Sequence, residues 1–392
     1  MTGASVLAGA LSRALPADRV VTDPDVLAAM SHDDAEWAPV GRAAAGVRAR
    51  SEADVQHVVR TCAELGAAVV PRGAGTGLSG GANAVGGCVI LDLSQMNNVI
   101  EIDPDNLLAV VQPGAVNNDV KAAVAEHGLW YPPDPASAPW STIGGNVATN
   151  AGGLCCLKYG VTRDYVLGLR AVVGGPVGYG EAVRLGRRTT KGVAGLDLVG
   201  LFVGSEGTLG VVTEVTLRLR PAPAGPPRTV VGAFADLVSA GRAVAQITRR
   251  GLTPAVLELL DQACLRAVED WKHLGIEADA AALLLARVDT PGDSGAAEAG
   301  AIATIAHAGD GNLHPLLITP PGDDTARAAA QSAFEEFLDA AIALGGTVTG
   351  EHGVGILKRD GMRRELDPGS LALQSAVRQA LDPRGVFNPG KG

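Results

Sequence analysis

The stretch PRGAGTGLSGGANA, which begins at Pro71, constrains this chain more than any other. It contains Gly73, Gly75, Gly77, Gly80 and Gly81, with Gly86 just beyond. Glycine at that density lets bare backbone N–H groups approach an anion, because no Cβ stands in the way. Gly75, Gly77 and Gly80 satisfy the spacing G-x-G-x-x-G, but the dinucleotide fingerprint must open a helix whose N-terminus meets the pyrophosphate. Here AAVVP reads as a buried strand before the run and GCVILDLSQM as a strand after it, with no helical pattern between. No Lys-Ser/Thr pair follows the glycines, which excludes a P-loop. A strand–loop–strand nest of amides around an anion remains, beside a plainer alternative, a glycine-rich hairpin with no ligand.

A second stretch, PPDPASAPWSTIGGNVATNAGG (132–153), adds Gly144, Gly145, Gly152 and Gly153 among small polar residues. Two such loops in one domain suit an extended dinucleotide lying across it.

At 392 residues the chain exceeds one compact core, and two domains are expected. No apolar run approaches the roughly 18 residues of a membrane span. The N-terminal MTGASVLAGALSRALPADRV has neither a basic start nor a long apolar centre, so it reads as an amphipathic helix and not a signal. A net charge of −10 argues against nucleic acid, since phosphate contacts need clustered Lys and Arg. Five cysteines without CxxC spacing suit a reduced cytoplasm and leave the chain no iron–sulfur centre of its own.

Local patterns predict the elements. SEADVQHVVRTCAELGA is a helix capped by Ser51, and NVIEIDPDNLLAVVQPGA is a hairpin around Pro104, Asp105 and Asn106. VNNDVKAAVAEHG is a helix closed by Gly128, and LVGLFVGSEGTLGVVTEVTLRLRP reads as strand-rich, alternating from Val211 to Leu219. The Pro-rich RPAPAGPPR (220–228) marks a domain boundary. Beyond it come TVVGAF, a helix over 236–251, AVLELLD, a helix near 261–275 and the strand AALLLARVD. TPGDSGAAEAG (290–300) then reads as a short connection, and a long helix covers 324–344. Strands alternating with helices make both domains α+β.

His307 and His314 bracket AGDGNL, and GEHG supplies Glu351 and His352. Two imidazoles and a carboxylate suit a divalent cation of the Zn, Mn, Fe or Co kind, and the tight Gly-Asp-Gly-Asn turn can bring both rings to one point. Satisfied structural histidines are the alternative.

With these motifs in order, the chain resembles FAD-linked oxidoreductases of the vanillyl-alcohol oxidase/p-cresol methylhydroxylase (PCMH) superfamily. The branch is that of the glycolate oxidase D subunit, D-lactate dehydrogenase and D-2-hydroxyglutarate dehydrogenase. The resemblance runs through PRGAGTGLSGGA, PPDP…STIGGNVATNAGG, KYGVTRDYVLGL, GRRTTKGVAGLDLVGLFVGSEGTLGVVTEV, HAGDGNLHP, GEHGVG and LDPRGVFNPGK. It implies a PCMH-type FAD-binding domain of two subdomains at 1–220 and a ferredoxin-like α+β substrate (cap) domain at 221–375. A tail, 376–392, returns to the flavin.

The resemblance further implies non-covalent FAD, since residues 72–82 hold no His or Cys for attachment. Its pyrophosphate would follow Pro71, Arg72, Gly73, Ala74, Gly75, Thr76, Gly77, Leu78, Ser79, Gly80 and Gly81. Pro133, Asp134, Ser141, Thr142, Gly144, Gly145, Asn146, Thr149, Asn150, Gly152 and Gly153 would lie near the flavin and ribityl chain. Glu206, Gly207, Gly210, Val211 and Val212 fall to the adenosine half and Asn388 to the isoalloxazine ring. By the same resemblance His307, His314 and Glu351 ligate the metal, zinc first, and His352 is the catalytic base. The implied reaction oxidises a D-2-hydroxy acid to the 2-keto acid, with a quinone, a cytochrome or an iron–sulfur partner subunit as electron acceptor. A homodimer or hetero-oligomer in the cytoplasm, peripheral to a membrane through its acceptor, is the expected setting.

The chain departs from that pattern at 290–300, where the family carries several tens of additional residues, including cationic groups for the substrate carboxylate. The cap is therefore expected to be shortened, with Lys358 and Arg359 as the remaining candidates for that carboxylate. A non-catalytic or weakly active flavin-binding subunit is the competing expectation. Cys155 and Cys156 follow the second glycine stretch and read as buried packing in preference to flavin attachment.

Overall fold

The computed structural model describes residues 3–275, 280–305, 317, 319 and 322–392. The first layer contains α1 (Gly3–Ala14), β1 (Val20–Val21), α2 (Pro24–Met30), β2 (Ala45–Arg48), α3 (Glu52–Leu65), β3 (Val69–Arg72) and β4 (Val89–Asp92), with strand order β1-β2-β4-β3. Helix α3 starts at a capping box: Ser51 Oγ accepts from Asp54 N, and the Asp54 carboxylate accepts from Ser51 N. Its stripe of Val55, Val58, Val59 and Cys62 is buried with Leu7 and Leu11 of α1. Strands β3 and β4 run parallel, from Val69 opposite Val89 to Arg72 opposite Asp92. A tight hairpin cannot join parallel strands, so the glycine run between them is a crossover without a helix, and the hairpin alternative falls.

The second layer contains β5 (Val99–Asp103), β6 (Leu108–Val111), α4 (Asn117–Ala125), β7 (Leu129–Trp130), α5 (Ile143–Thr149), α6 (Cys156–Tyr159), β8 (Val166–Val173), β9 (Glu181–Gly186), α7 (Leu198–Phe202) and β10 (Val211–Arg218). Its sheet is antiparallel, ordered β5-β6-β10-β8-β9. The β5–β6 hairpin turns where the sequence implies, with Asp103 accepting from Asn106 N at 3.0 Å. Two segments differ from the sequence reading. The middle of the second glycine stretch is wound into α5, because Thr142 Oγ1 caps Gly145 N and because Ile143 and Val147, four residues apart, enter the core. Tertiary burial thus overrides the poor helix propensity of Gly144 and Gly145. Leu198–Phe202 is likewise a short helix, capped by Asp197, ahead of the strand.

After β11 (Arg220–Pro221), which pairs with β7, residues 222–227 are exposed. Then come β12 (Arg228–Phe234), α8 (Leu237–Arg249), β13 (Val256–Asp261), α9 (Gln262–Lys272), β14 (Ala282–Val288) and α10 (Gly292–Ile305). The three strands form an antiparallel sheet, β12-β14-β13, whose core joins Leu257, Leu284, Ala286 and Val288 to Ile247, Ala299 and Ile302. Helix α10 overturns the reading of 290–300 as a bare connection: its alanines favour helix, and Ala299 and Ile302 face the sheet. Helices α11 (Asp324–Ala343), α12 (Arg359–Glu365) and α13 (Pro368–Leu381) follow. The tail then lies beside β3, with Val69 N donating to Val386 O at 2.7 Å and Asn388 N to Val69 O at 2.8 Å. No helix among the described residues is long and apolar enough to cross a membrane.

Candidate functional site

The two glycine stretches meet. A Cβ on Gly73 would run into Thr142 Oγ1, and one on Gly207 would lie 3.1 Å from Pro71 Cγ. By contrast, Gly81 faces open space, with no protein atom within 4 Å of where its Cβ would stand. The Arg72 guanidinium folds back over Gly75, which is held at φ +79, and Nη1 donates to His32 O at 2.5 Å. Burial pushes the Arg72 pKa down, against Asp92, Asp33 and Asp34. Asp33 braces the far side of the loop: its carboxylate accepts from Ala35 N at 3.1 Å and Ala82 N at 3.2 Å. Burial raises the Asp33 pKa despite these bonds and the nearby Lys391 and Arg72.

Glu351 and His352 reach this cradle on the segment from Thr349 to Gly355. Ser79 Oγ donates to His352 O and Gly353 O, each at 3.2 Å, and Ile356 N donates back to Ser79 O at 2.7 Å. Gly355 N donates to both carboxylate oxygens of Glu206, at 2.9 and 3.0 Å. Glu206 is buried in the left-handed region at φ 53, and burial raises its pKa against the Gly355 and Val354 amides, Arg378 and Lys391. The Glu351 side chain packs on Gly152, where a Cβ would come within 2.6 Å of Glu351 Cγ. A Cβ on Gly353 would run into Glu206 Oε1 and lie 3.6 Å from Thr149 Cβ, so Glu206 and α5 both back the segment.

The tail closes the same space. Asn388 is buried at φ 38, and its Nδ2 donates to Gly81 O at 2.9 Å and Glu206 O at 2.7 Å. Lys391, which is 2% exposed, donates to Asn83 O at 2.6 Å. Sequence reasoning picked out Asn388 but not Lys391 or Asn83, which stand inside LDPRGVFNPGK and PRGAGTGLSGGANA, nor Asp33, which stands in neither.

The second stretch is packed from beneath. Asn146 Oδ1 accepts from Asn117 Nδ2 at 2.9 Å, and Asn146 Nδ2 donates to Ser141 Oγ at 3.3 Å. Asn150 is the left-handed C-cap of α5, its Oδ1 accepting from Arg163 N at 2.9 Å. Pro133 O accepts from Asn117 Nδ2, and Gly144 backs onto Pro113. The Asp134 carboxylate accepts from Cys155 N at 3.0 Å and from the Cys155 thiol at 3.2 Å. Burial, with Asp134 alongside, pushes the Cys155 pKa up to about 12. Gly210, at φ 155, leads into β10, where Val211 is buried in the core opposite Val172 and half-buried Val212 packs on the second-layer core.

Two buried amide oxygens, Asn388 Oδ1 and Asn117 Oδ1, have no hydrogen-bond partner. Each borders one of the glycine stretches. With the open flank at Gly81, they fit a polar cofactor of nucleotide type laid along the cradle. His307 and His314 lie outside the described residues. Among the described residues no group of three metal donors occurs.

Comparison with known proteins agrees with this geometry. Residues 43–178 match the FAD binding domain family, and residues 226–302 and 292–392 match the C-terminal domain of FAD linked oxidases. The chain is 36% identical to glycolate oxidase subunit GlcD of Bacillus subtilis over 87% of each chain. It is 30% identical to a D-lactate dehydrogenase of Anaerostipes hadrus, over 95% of this chain and 94% of that one. The Bacillus alignment runs over 414 positions while covering 87% of this chain, so the relative carries residues that this chain lacks. Among solved structures, p-cresol methylhydroxylase superposes with a TM-score of 0.78 at 17% identity, covering 100% of this chain and 97% of that one, which bears on the fold alone. A helix-free crossover between parallel strands, a second small-residue stretch folded against it and these matches converge: the chain belongs to the FAD-linked oxidases, a family of flavoprotein oxidoreductases with the PCMH-type fold.

Proposed function

We propose that this protein is an FAD-dependent dehydrogenase that oxidises a small D-2-hydroxy acid of the lactate, glycolate or 2-hydroxyglutarate class to the 2-keto acid. The observation that carries the reading is the docking of Thr349–Gly355, with Glu351 and His352 in it, between Ser79, Glu206 and Gly152. Relatives in the glycolate oxidase and D-lactate dehydrogenase group support the substrate class.

The cradle from Pro71 to Gly81 would hold the FAD pyrophosphate, with the α5 stretch and Asn388 toward the flavin. When bound, FAD supplies a two-electron acceptor for the hydride from the substrate's Cα. His352 would take the hydroxyl proton, a role suited to an imidazole whose ordinary pKa is about 6.5. His307, His314 and Glu351 would supply the donors for a divalent cation of the Zn, Mn, Fe or Co kind, which would acidify the hydroxyl. Ser79 and Glu206 fix the backbone at His352 and just after it, so the base is held and not left to a loose loop. Two electrons then leave to an external acceptor, since the chain has no iron–sulfur motif. A division at about 220, with the tail from 376 completing the flavin domain, follows from this reading.

The test is anaerobic mixing of FAD-loaded protein with glycolate, D-lactate and D-2-hydroxyglutarate, before and after metal removal by a chelator. The reading expects bleaching of the flavin band by at least one acid, and its loss with chelation. A flavin that no acid bleaches, with metal restored, favours a flavin-binding subunit without turnover.

A further inference from the structure

The proposed substrate carries a carboxylate, and Lys358 and Arg359 are the sequence's candidates to grip it. Each makes one contact within the protein. Lys358 Nζ donates to Thr349 Oγ1 at 3.1 Å, and Arg359 Nη1 donates to Gly390 O at 2.9 Å.

Arg287 is different. It sits on β14 between Thr229 of β12 and Val256 of β13, on the face away from Leu284, Ala286 and Val288. Its half-buried guanidinium crosses to the flavin lobe, where Nη2 donates to Cys155 Sγ at 3.5 Å. Among the described residues no carboxylate lies within ion-pair distance of it. A guanidinium offers five N–H donors in a planar fork matched to a carboxylate, and one thiol contact leaves most of that capacity unspent.

The charged groups around Arg287 are engaged with other partners. Asp289, two residues on and on the same face, is tied to α6 by Lys158 Nζ and Tyr159 Oη, each at 2.5 Å. Asp134 is the nearby carboxylate, and it already accepts from the Cys155 amide and thiol. Lys121, largely buried, adds a second cation within electrostatic reach of Asp134 and Cys155. The Arg287 fork, held by one long thiol contact in a half-buried junction, keeps donors available to an anionic ligand. A run of contacts leads from the junction toward the Thr349–Gly355 segment: Gly153 backs onto Asp134 O, and Gly152 onto the Glu351 side chain.

We propose that Arg287 binds the carboxylate of the 2-hydroxy acid and is the residue that selects acids over neutral alcohols. This assignment rests on the function proposed above. The experiment titrates FAD-loaded wild-type, R287M and R287K proteins with pyruvate, an unreactive carboxylate, and with pyruvamide, its neutral counterpart, following the flavin absorbance band. R287M is expected to weaken pyruvate roughly 30-fold and R287K less, with pyruvamide affinity, FAD content and Tm unchanged. Equal pyruvate affinity in R287M and wild type overturns the assignment, as does wild type that binds no carboxylate. Should R287M not retain FAD, R287Q takes its place and is read the same way. Pyruvate binding that depends on Arg287, in a protein that no hydroxy acid bleaches, keeps the anion site and discards the dehydrogenase reading.

Discussion

The carboxylate of Glu206 receives the backbone N–H of Gly355 on both oxygens, at 2.9 and 3.0 Å, across 149 residues of sequence. This contact fixes the segment bearing His352 at Gly355, while Ser79 fixes it at the carbonyls of His352 and Gly353. Glu206→Ala removes the acceptor and leaves a buried amide unpaired, at a cost of about 2 kcal/mol. The expected outcome is a lower Tm and a fall in the rate of substrate-driven flavin reduction, read by calorimetry and stopped-flow absorbance. An unchanged rate in a folded variant removes Glu206 from the support of this segment.

Gly81 separates the cofactor from the fold. A side chain there meets no protein atom within 4 Å, so Gly81→Val is expected to leave the Tm of the FAD-free protein unchanged. It obstructs the proposed pyrophosphate path, and FAD affinity is expected to fall at least tenfold by fluorescence titration. FAD affinity equal to wild type places the pyrophosphate elsewhere.

Much of this was legible in the sequence and some was not, for physical reasons. The Ser51 N-cap, and the turn around Pro104, Asp105 and Asn106, are local signals, and both elements form as read. The absent helix after Gly80 is local too, and it already separated this loop from the common dinucleotide fold. Helix α5 was hidden because Gly144 and Gly145 argue against helix, whereas burial of Ile143 and Val147 favours it. Helix α10 was hidden behind Gly292 and Gly295, though its alanines pack on β14. Glu206–Gly355, Lys391–Asn83 and Arg287–Cys155 join residues more than 130 apart, and no local pattern encodes such pairs.

Asp289 tests the clasp between β14 and α6. Burial raises the carboxyl's pKa, but the Lys158 and Tyr159 bonds outweigh it and hold the pKa below the ordinary 3.8. A lowered pKa adds stability that is present above the unfolded value and lost as pH falls through the folded one. Asp289→Asn is therefore expected to lower stability by about 2 kcal/mol, constant from about pH 8 to about pH 5 and shrinking below about pH 4. Denaturant titrations across that range check it, and a difference that fades before pH 5 contradicts it.

The thiols of Cys62 and Cys155 are both pushed up to about 12 by burial. At pH 8 each is protonated and sheltered, and a thiol without thiolate character reacts slowly. Iodoacetamide applied to the native protein at that pH is expected to spare both, while unfolding exposes all five cysteines. Peptide mass spectrometry decides it, and native labelling of Cys155 at the rate of Cys264 counts against the burial described.

The most direct measurement is single-turnover reduction in His352→Ala. FAD-loaded variant and wild type are mixed anaerobically with the hydroxy acid that best bleaches the wild type, at matched flavin content. The expected result is retained FAD, with bleaching slowed by at least roughly 100-fold and a lost dependence on a group titrating near neutrality. Bleaching at the wild-type rate would contradict the placement of His352 at the reacting hydroxyl.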